Sequence, residues 1–370
     1  EKSICAIGRN MVTSGRLHSE GCALALEALA RFRLIADGLK ADTREAVATA
    51  AARDAVNGAE FIRKAEAIWG GPIRILAGQD EARIAAEGVL AGIPDAEGIA
   101  ADLGGGSLDM VSIKGGTTGA AFTLPFGPLR LMDQSKGDPD KARNIVDKGL
   151  KNLPVLSAPA LYAVGGIWRS LARVDMEEHN YPLHVLQQYT IPRGRALRLC
   201  RVLAGLSKDS VRKIKVVSKR RAESLPYGAV VLERLLEQSN IQEVVISAYG
   251  LREGVLFQRL PAEERAKDPL VEFARAANAR FARVAAHADA MLAWTRPLFD
   301  SETAEMARVR EASANFSDIG WRRHPDDRAV GAFSQVLTAP FAGASHRARA
   351  LIAASVFHHY SGDEDFPQGQ

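Results

Sequence analysis

The chain has 370 residues, 47% apolar and 25% charged, which is the balance of a globular protein of two or three domains. Disordered, collagenous and coiled-coil classes are thereby excluded, and no uncharged apolar run approaches the ~18–20 residues of a membrane span. Its 48 basic and 44 acidic residues leave a net charge of +4, too small to imply nucleic acid unless it is concentrated. Three cysteines (Cys5, Cys22 and Cys200) are too few and too scattered for a disulfide framework or a zinc site. The opening Glu1-Lys2-Ser3-Ile4-Cys5 lacks a signal-peptide pattern. Both features point to a cytoplasmic protein without a membrane partner.

Ser19 to Ala36 reads as a helix, with Cys22, Leu26, Leu29 and Phe32 at three- to four-residue spacing. Glu45 to Thr49 reads as a short buried strand followed by a helix through Asn57, and Ile73 to Leu76 as a further strand. Asp80 to Leu90 is a helix closed by Gly92 and Pro94. Gly98 to Asp102, Leu108 to Ile113 and Ala120 to Pro125 form an antiparallel meander. Its turns are Gly104-Gly105-Gly106-Ser107 and Lys114-Gly115-Gly116. Leu161 to Val164 is a strand entering Gly165-Gly166 and then a helix, and Gln242 to Ser247 is a buried strand ending at Tyr249-Gly250. Pro261 to Pro269 reads as a polar linker. From residue 270 strand signals vanish and helices follow, and the tail from Ser361 to Gln370 is expected to fray. The chain thus divides into α/β domains at 1–96 and 97–260 and a helical domain at 268–370.

Asp102-Leu-Gly-Gly-Gly-Ser-Leu-Asp109 is the most informative segment. Glycines admit a phosphate close to the backbone and turn amides toward it. The lysine of a P-loop is missing, and a strand rather than a helix follows, so neither that loop nor a dinucleotide fingerprint fits. Carboxylates on both sides of the turn suit a phosphate cradle with a hard divalent cation, although a plain hairpin with solvated aspartates has the same pattern. Gly165-Gly166 at a strand–helix junction could hold a second anion or be only a tight turn. Glu81, in the first turn of its helix, is either a capping carboxylate or a base for water, and Arg53 either a phosphate ligand or a surface arginine.

In order along the chain, Thr49-Ala-Ala-Ala-Arg53-Asp-Ala-Val-Asn57, Gly78-Gln-Asp-Glu81-Ala-Arg83, Asp102 to Asp109 and Tyr249-Gly250-Leu-Arg252-Glu253-Gly254 resemble four motifs of the exopolyphosphatase/guanosine-pentaphosphate phosphatase (Ppx/GppA) family. The resemblance covers residues 1 to about 260 well and the helical part more loosely. It implies two actin-like, ribonuclease-H-like α/β domains (the ASKHA fold) closing on a phosphate-binding cleft, followed by a helical domain akin to HD phosphohydrolases. It also implies Mg²⁺- or Mn²⁺-dependent hydrolysis of the terminal phosphate of inorganic polyphosphate, or of guanosine pentaphosphate (pppGpp), by a homodimer. Under it Glu81 is the catalytic carboxylate and Asp102 and Asp109 hold the metal. Phosphate is bound by Arg53, Gly104, Gly105, Gly106, Ser107, Gly165 and Gly166. The family's D-I-G-S-N-S opening is absent, so the first strand and first phosphate loop are missing from this sequence. Asp109 stands where the family usually has Glu. In the helical part Asp318 follows Ser317 rather than a histidine, so no metal site is expected there, and the histidines of these helices are read as surface or interface residues.

Residues 193–223 carry eleven basic and two acidic side chains, a local +9 against −5 for the remainder. Such asymmetry would draw a polyanion, with Lys215, Lys219 and Arg220 as a polyphosphate path. A solvated helical face is the alternative. Nucleic acid is disfavoured, because no aromatic residues interleave as stacking platforms. A sensor that binds polyphosphate or nucleotide without turnover, and an actin-like kinase, are the rival functions.

Overall fold

The computed structural model describes residues 3–362 except 152, 154 and 155. Among these residues eight strands form two sheets. Strands β1 (Ala46–Ala48) and β2 (Ile73–Ile75) pair in parallel as an isolated two-stranded sheet. Neither is buried as expected of β1: its residues are half-buried, because so narrow a sheet has little to pack against.

The main sheet contains β3 (Gly98–Leu103), β4 (Leu108–Lys114), β5 (Thr117–Leu124), β6 (Ala160–Val164), β7 (Thr190–Pro192) and β8 (Glu243–Ile246) in the order β5-β4-β3-β6-β8-β7. Strands β3, β6 and β8 run parallel, while β4, β5 and β7 join antiparallel at the two ends. The parallel centre is covered on both faces, as such sheets require. Ile99, Ala101, Leu103, Leu108 and Met110 point into one core with helices Gly166–Glu178, Arg193–Ala204 and Leu225–Glu237. The alternate residues Ala100, Val111 and Ile113 pack on the opposite face against Ala82, Ala86 and Val89 of helix Gly78–Gly92. That helix is crossed by helix Leu251–Gln258. Gly254 makes the crossing possible, since any Cβ there would overlap the Ile84 carbonyl oxygen.

The segment read as a linker contains a short helix, Ala262–Arg265. Beyond it, helices Pro269–Phe281, Ala304–Phe316, Arg328–Leu337 and His346–Ser361 bury a separate core around Phe316, Val336 and Ile352. Arg349, 1% exposed, donates to the carbonyls of Leu337 (3.2 Å), Ala339 (2.6 Å) and Phe341 (3.0 Å). It satisfies acceptors released where helix Arg328–Leu337 ends. Asp318 is engaged by Arg283, whose Nη2 lies 2.7 Å away. His346 sits at the junction with the α/β part: its Nε2 donates to the Gln187 carbonyl at 3.0 Å and its Nδ1 accepts from Tyr181 Oη at 2.8 Å. Among the described residues no helix is long and apolar enough to cross a membrane. Residues 363–370 of the tail expected to fray lie outside the described residues.

Candidate active site

The hairpin register decides where the two aspartates go. Asp102 and Asp109 are directly opposed across β3 and β4, so their side chains emerge on one face. It is the face that carries helix Gly78–Gly92, and the first turn of that helix holds Glu81. Three carboxylates distant in sequence are thereby gathered. The glycine turn closes with the Gly104 amide donating to the Ser107 carbonyl at 3.0 Å. The Ser107 hydroxyl donates to Asp109 Oδ2 at 2.9 Å.

Strands β3, β6 and β8 are parallel neighbours, so their carboxyl ends share one edge of the sheet. There stand, side by side, Gly104–Gly106, Gly165–Gly166 and Ala248–Gly250. Ligands of open α/β sheets bind at such an edge. Gly165 has φ +113°, and a Cβ on it would meet the Leu103 carbonyl oxygen at 2.6 Å, so a glycine is required. Gly166 begins a 13-residue helix, and the Arg221 guanidinium lies over it while donating to Ser170 Oγ at 3.2 Å.

Electrostatics set the three acids apart from ordinary ones. Glu81 is 8% exposed. Burial, then the charges of Asp109 and Asp102, push its pKa up to about 8, against the lowering effect of Arg53. Asp102 is half-buried at the end of β3. Burial and Asp109 raise it to about 7, and Arg169 opposes them. Asp109, 3% exposed, is raised by burial, while the hydroxyls of Thr123 and Ser107 stabilise its charge. Clustered carboxyls perturbed in this way mark functional sites more often than structural ones.

Arg53 is close enough to serve this centre. Its Nη1 donates to the Leu76 carbonyl at 2.7 Å and stands 4.0 Å from Glu81 Oε2. Glu81 Oε2 and Asp109 Oδ1 are buried acceptors without a partner, and such groups call for an unseen donor, water or cation. Among the described residues no group of three or more His, Cys, Asp or Glu side chains forms a ready metal cage. The donor set therefore fits a hard cation held by one or two carboxylates and otherwise by water and substrate oxygens, as Mg²⁺ prefers.

The basic segment separates into two parts. Arg193 donates to the carbonyls of Ser239 and Ile241, Arg195 pairs with Asp175 at 3.1 Å and Arg201 with Glu237 at 2.8 Å. Lys208 pairs with Glu223. These side chains are engaged by the protein's own carbonyls and carboxylates. Lys215, Lys219 and Arg220 are exposed, immediately before the Arg221 that covers Gly166. Two residues escaped sequence reasoning. Thr123 is opposite Asp109 on β5, which only the hairpin register reveals. Arg169 lies four residues after Gly165, one helical turn on, and this spacing was a readable signal.

The model of the Ppx/GppA phosphatase family matches residues 1–263, and that of the exopolyphosphatase C-terminal region matches residues 271–367. Retrograde regulation protein 2 of Saccharomyces cerevisiae is 28% identical over 91% of this chain. The chain spans only 62% of the length of that relative. An exopolyphosphatase from Cytophaga hutchinsonii superposes with a TM-score of 0.63 at 23% identity, covering 70% of this chain and 88% of its own. The Ppx/GppA family member of Aquifex aeolicus gives 0.58 at 24%, covering 69% and 86%. At these identities the two structures bear on the fold alone.

Proposed function

The chain belongs to the Ppx/GppA phosphatase family, and we propose that within this family of hydrolases it removes terminal phosphates from inorganic polyphosphate. The observation that carries the reading is the buried trio of Glu81, Asp102 and Asp109, with two unpartnered oxygens, at the glycine-lined edge of the sheet. A phosphoanhydride seated against Gly104–Gly106 and Gly165–Gly166 would direct its terminal phosphorus toward Glu81. Arg53 would neutralise phosphate oxygens from the side of the first sheet. Asp102 and Asp109 would hold Mg²⁺ or Mn²⁺, which when bound supplies neutralisation of the charge that develops on the leaving phosphate.

Glu81 would orient the attacking water and take its proton. With a pKa near 8 the carboxyl is mostly protonated at pH 7 in the cation-free protein. Positive charge beside Oε2 would favour the carboxylate, so the base would be available in the cation-bound protein. The exposed Lys215, Lys219 and Arg220 favour a long polyanion over a compact nucleotide, which is why polyphosphate is preferred here to guanosine pentaphosphate. Phosphate release from long-chain polyphosphate and from guanosine pentaphosphate, measured side by side with Mg²⁺, tests the reading. Faster turnover of polyphosphate is expected. Preference for the guanosine nucleotide would overturn the substrate assignment, and binding of either without release would make the protein a sensor.

A further inference from the structure

Resting on the phosphohydrolase reading, we propose that Arg169 is a positioning residue of this site. It bridges the turn after β6 to the turn after β8 and sets its charge beside Asp102, where it limits how tightly the acids grip a cation. Its Nε donates to the Gly165 carbonyl at 3.2 Å and its Nη1 to the Ala248 carbonyl at 3.3 Å. Both anchors are firm. Gly165 is pressed against the backbone of β3. Ala248 is held from its other side, where its amide donates to Gln187 Oε1 at 2.7 Å, and the Ser247 hydroxyl donates to the Tyr249 carbonyl at 2.7 Å.

The two turns enclose Asp102. Val164, just before Gly165, is its register partner on β6, and a Cβ at Gly250 would lie 3.9 Å from Asp102 Oδ2. Arg169 is half-buried, and the like charges of Arg221 and Arg252 work against it while Asp102 and Glu253 favour it. Among the described residues the hydrogen bonds of Arg169 go to two backbone carbonyls, so the main chain of the two turns fixes where its charge sits. The fork matters: a planar guanidinium reaches two acceptors on different turns, and a lysine ammonium on a flexible stem does not reproduce that. Arg53 thus stands near Glu81, and Arg169 near Asp102.

Opposite signs separate this role from a merely structural one. Removing the Arg169 charge strengthens the attraction of the acids for a cation and weakens that of the cleft for a polyphosphate. A scaffold residue would weaken both. Mn²⁺ binding to the 370-residue chain, followed by electron paramagnetic resonance without substrate, is the first readout, and phosphate release the second. For Arg169→Gln the Mn²⁺ dissociation constant is expected to fall roughly threefold to tenfold, the effect of one like charge removed at the edge of a solvated cleft. The KM for polyphosphate should rise and kcat should fall by up to about 10²-fold, the cost of a 1 Å misplacement. Arg169→Lys should keep Mn²⁺ binding within about twofold, since the charge remains, and still lose kcat.

Weaker Mn²⁺ binding in Arg169→Gln, in step with lower activity and lower Tm, would overturn the proposal. So would unchanged kinetics in Arg169→Gln or full kcat in Arg169→Lys. If Arg169→Gln does not fold, Arg169→Lys decides, with wild-type Mn²⁺ affinity and reduced kcat in favour and wild-type kcat against. A wild-type chain that binds Mn²⁺ but releases no phosphate refutes the hydrolase reading, and the metal arm still judges Arg169. A wild-type chain that binds no Mn²⁺ overturns this inference.

Discussion

Replacing Glu81 with glutamine should make the protein more stable above neutral pH. Glu81 has a pKa of about 8 in the folded chain against 4.5 for the free side chain. Between those values the folded state binds a proton that the unfolded state has lost, so stability falls as pH rises, by about 1.4 kcal/mol per pH unit per proton. From pH 6 to pH 8 that amounts to about 2–3 kcal/mol. Asp102, held near 7 against an ordinary 3.8, adds about 1 kcal/mol over the lower half of the range. Glutamine keeps the shape and removes the titration, so the variant should lose only the Asp102 share. At about 2–4 °C per kcal/mol for a domain of this size, the wild-type Tm should drop about 5–10 °C more than that of Glu81→Gln between the two pH values. Thermal unfolding at pH 6 and pH 8 in chelator reads this directly, and the comparison cancels other titrating groups. Equal pH dependence in the two proteins would refute the argument, as would a variant less stable than the wild type at pH 8.

Asp102→Asn and Asp109→Asn should each raise the Mg²⁺ concentration needed for half-maximal phosphate release, and full wild-type activity in excess chelator would remove the metal from the account. Exchanging Lys215, Lys219 and Arg220 together for glutamine should raise KM for long polyphosphate and leave kcat and short substrates nearly unchanged. Salt should imitate the change, because exposed charges are screened over ~10 Å at 0.1 M; equal losses for both chain lengths would contradict a path. Gly254→Val should destabilise the chain by more than about 2 kcal/mol, since its side chain must displace the Ile84 backbone at the helix crossing; a melting curve like that of the wild type would contradict the crossing.

Much of the site was legible because it is built from local patterns. Alternation through Asp102–Leu103 and Leu108–Asp109 around a glycine turn puts both aspartates on one face, and a helix start marks Glu81. What escaped depends on pairing across the sheet or on uniform burial. Strand β7 is three residues long and carries no periodicity. Helix Leu225–Glu237 is buried on nearly every side, so no apolar stripe stands out against a polar one. The basic run between 193 and 223 reads as one charged face. Its members divide only when the fold brings Asp175, Glu237 and the Ser239 carbonyl to the first of them. Thr123 acquires meaning solely through its register with Asp109.

In the proposed mechanism Glu81 activates water against a phosphoanhydride at the carboxyl edge of the sheet. Steady-state release of phosphate from long-chain polyphosphate by the wild-type chain and by Glu81→Gln, at saturating Mg²⁺ and pH 7.5, tests it most directly. Polyphosphate binding is expected within a few-fold of the wild type, with a kcat lower by roughly 10²–10⁴-fold, the usual contribution of a general base. A Glu81→Gln chain that turns over at the wild-type rate would contradict it.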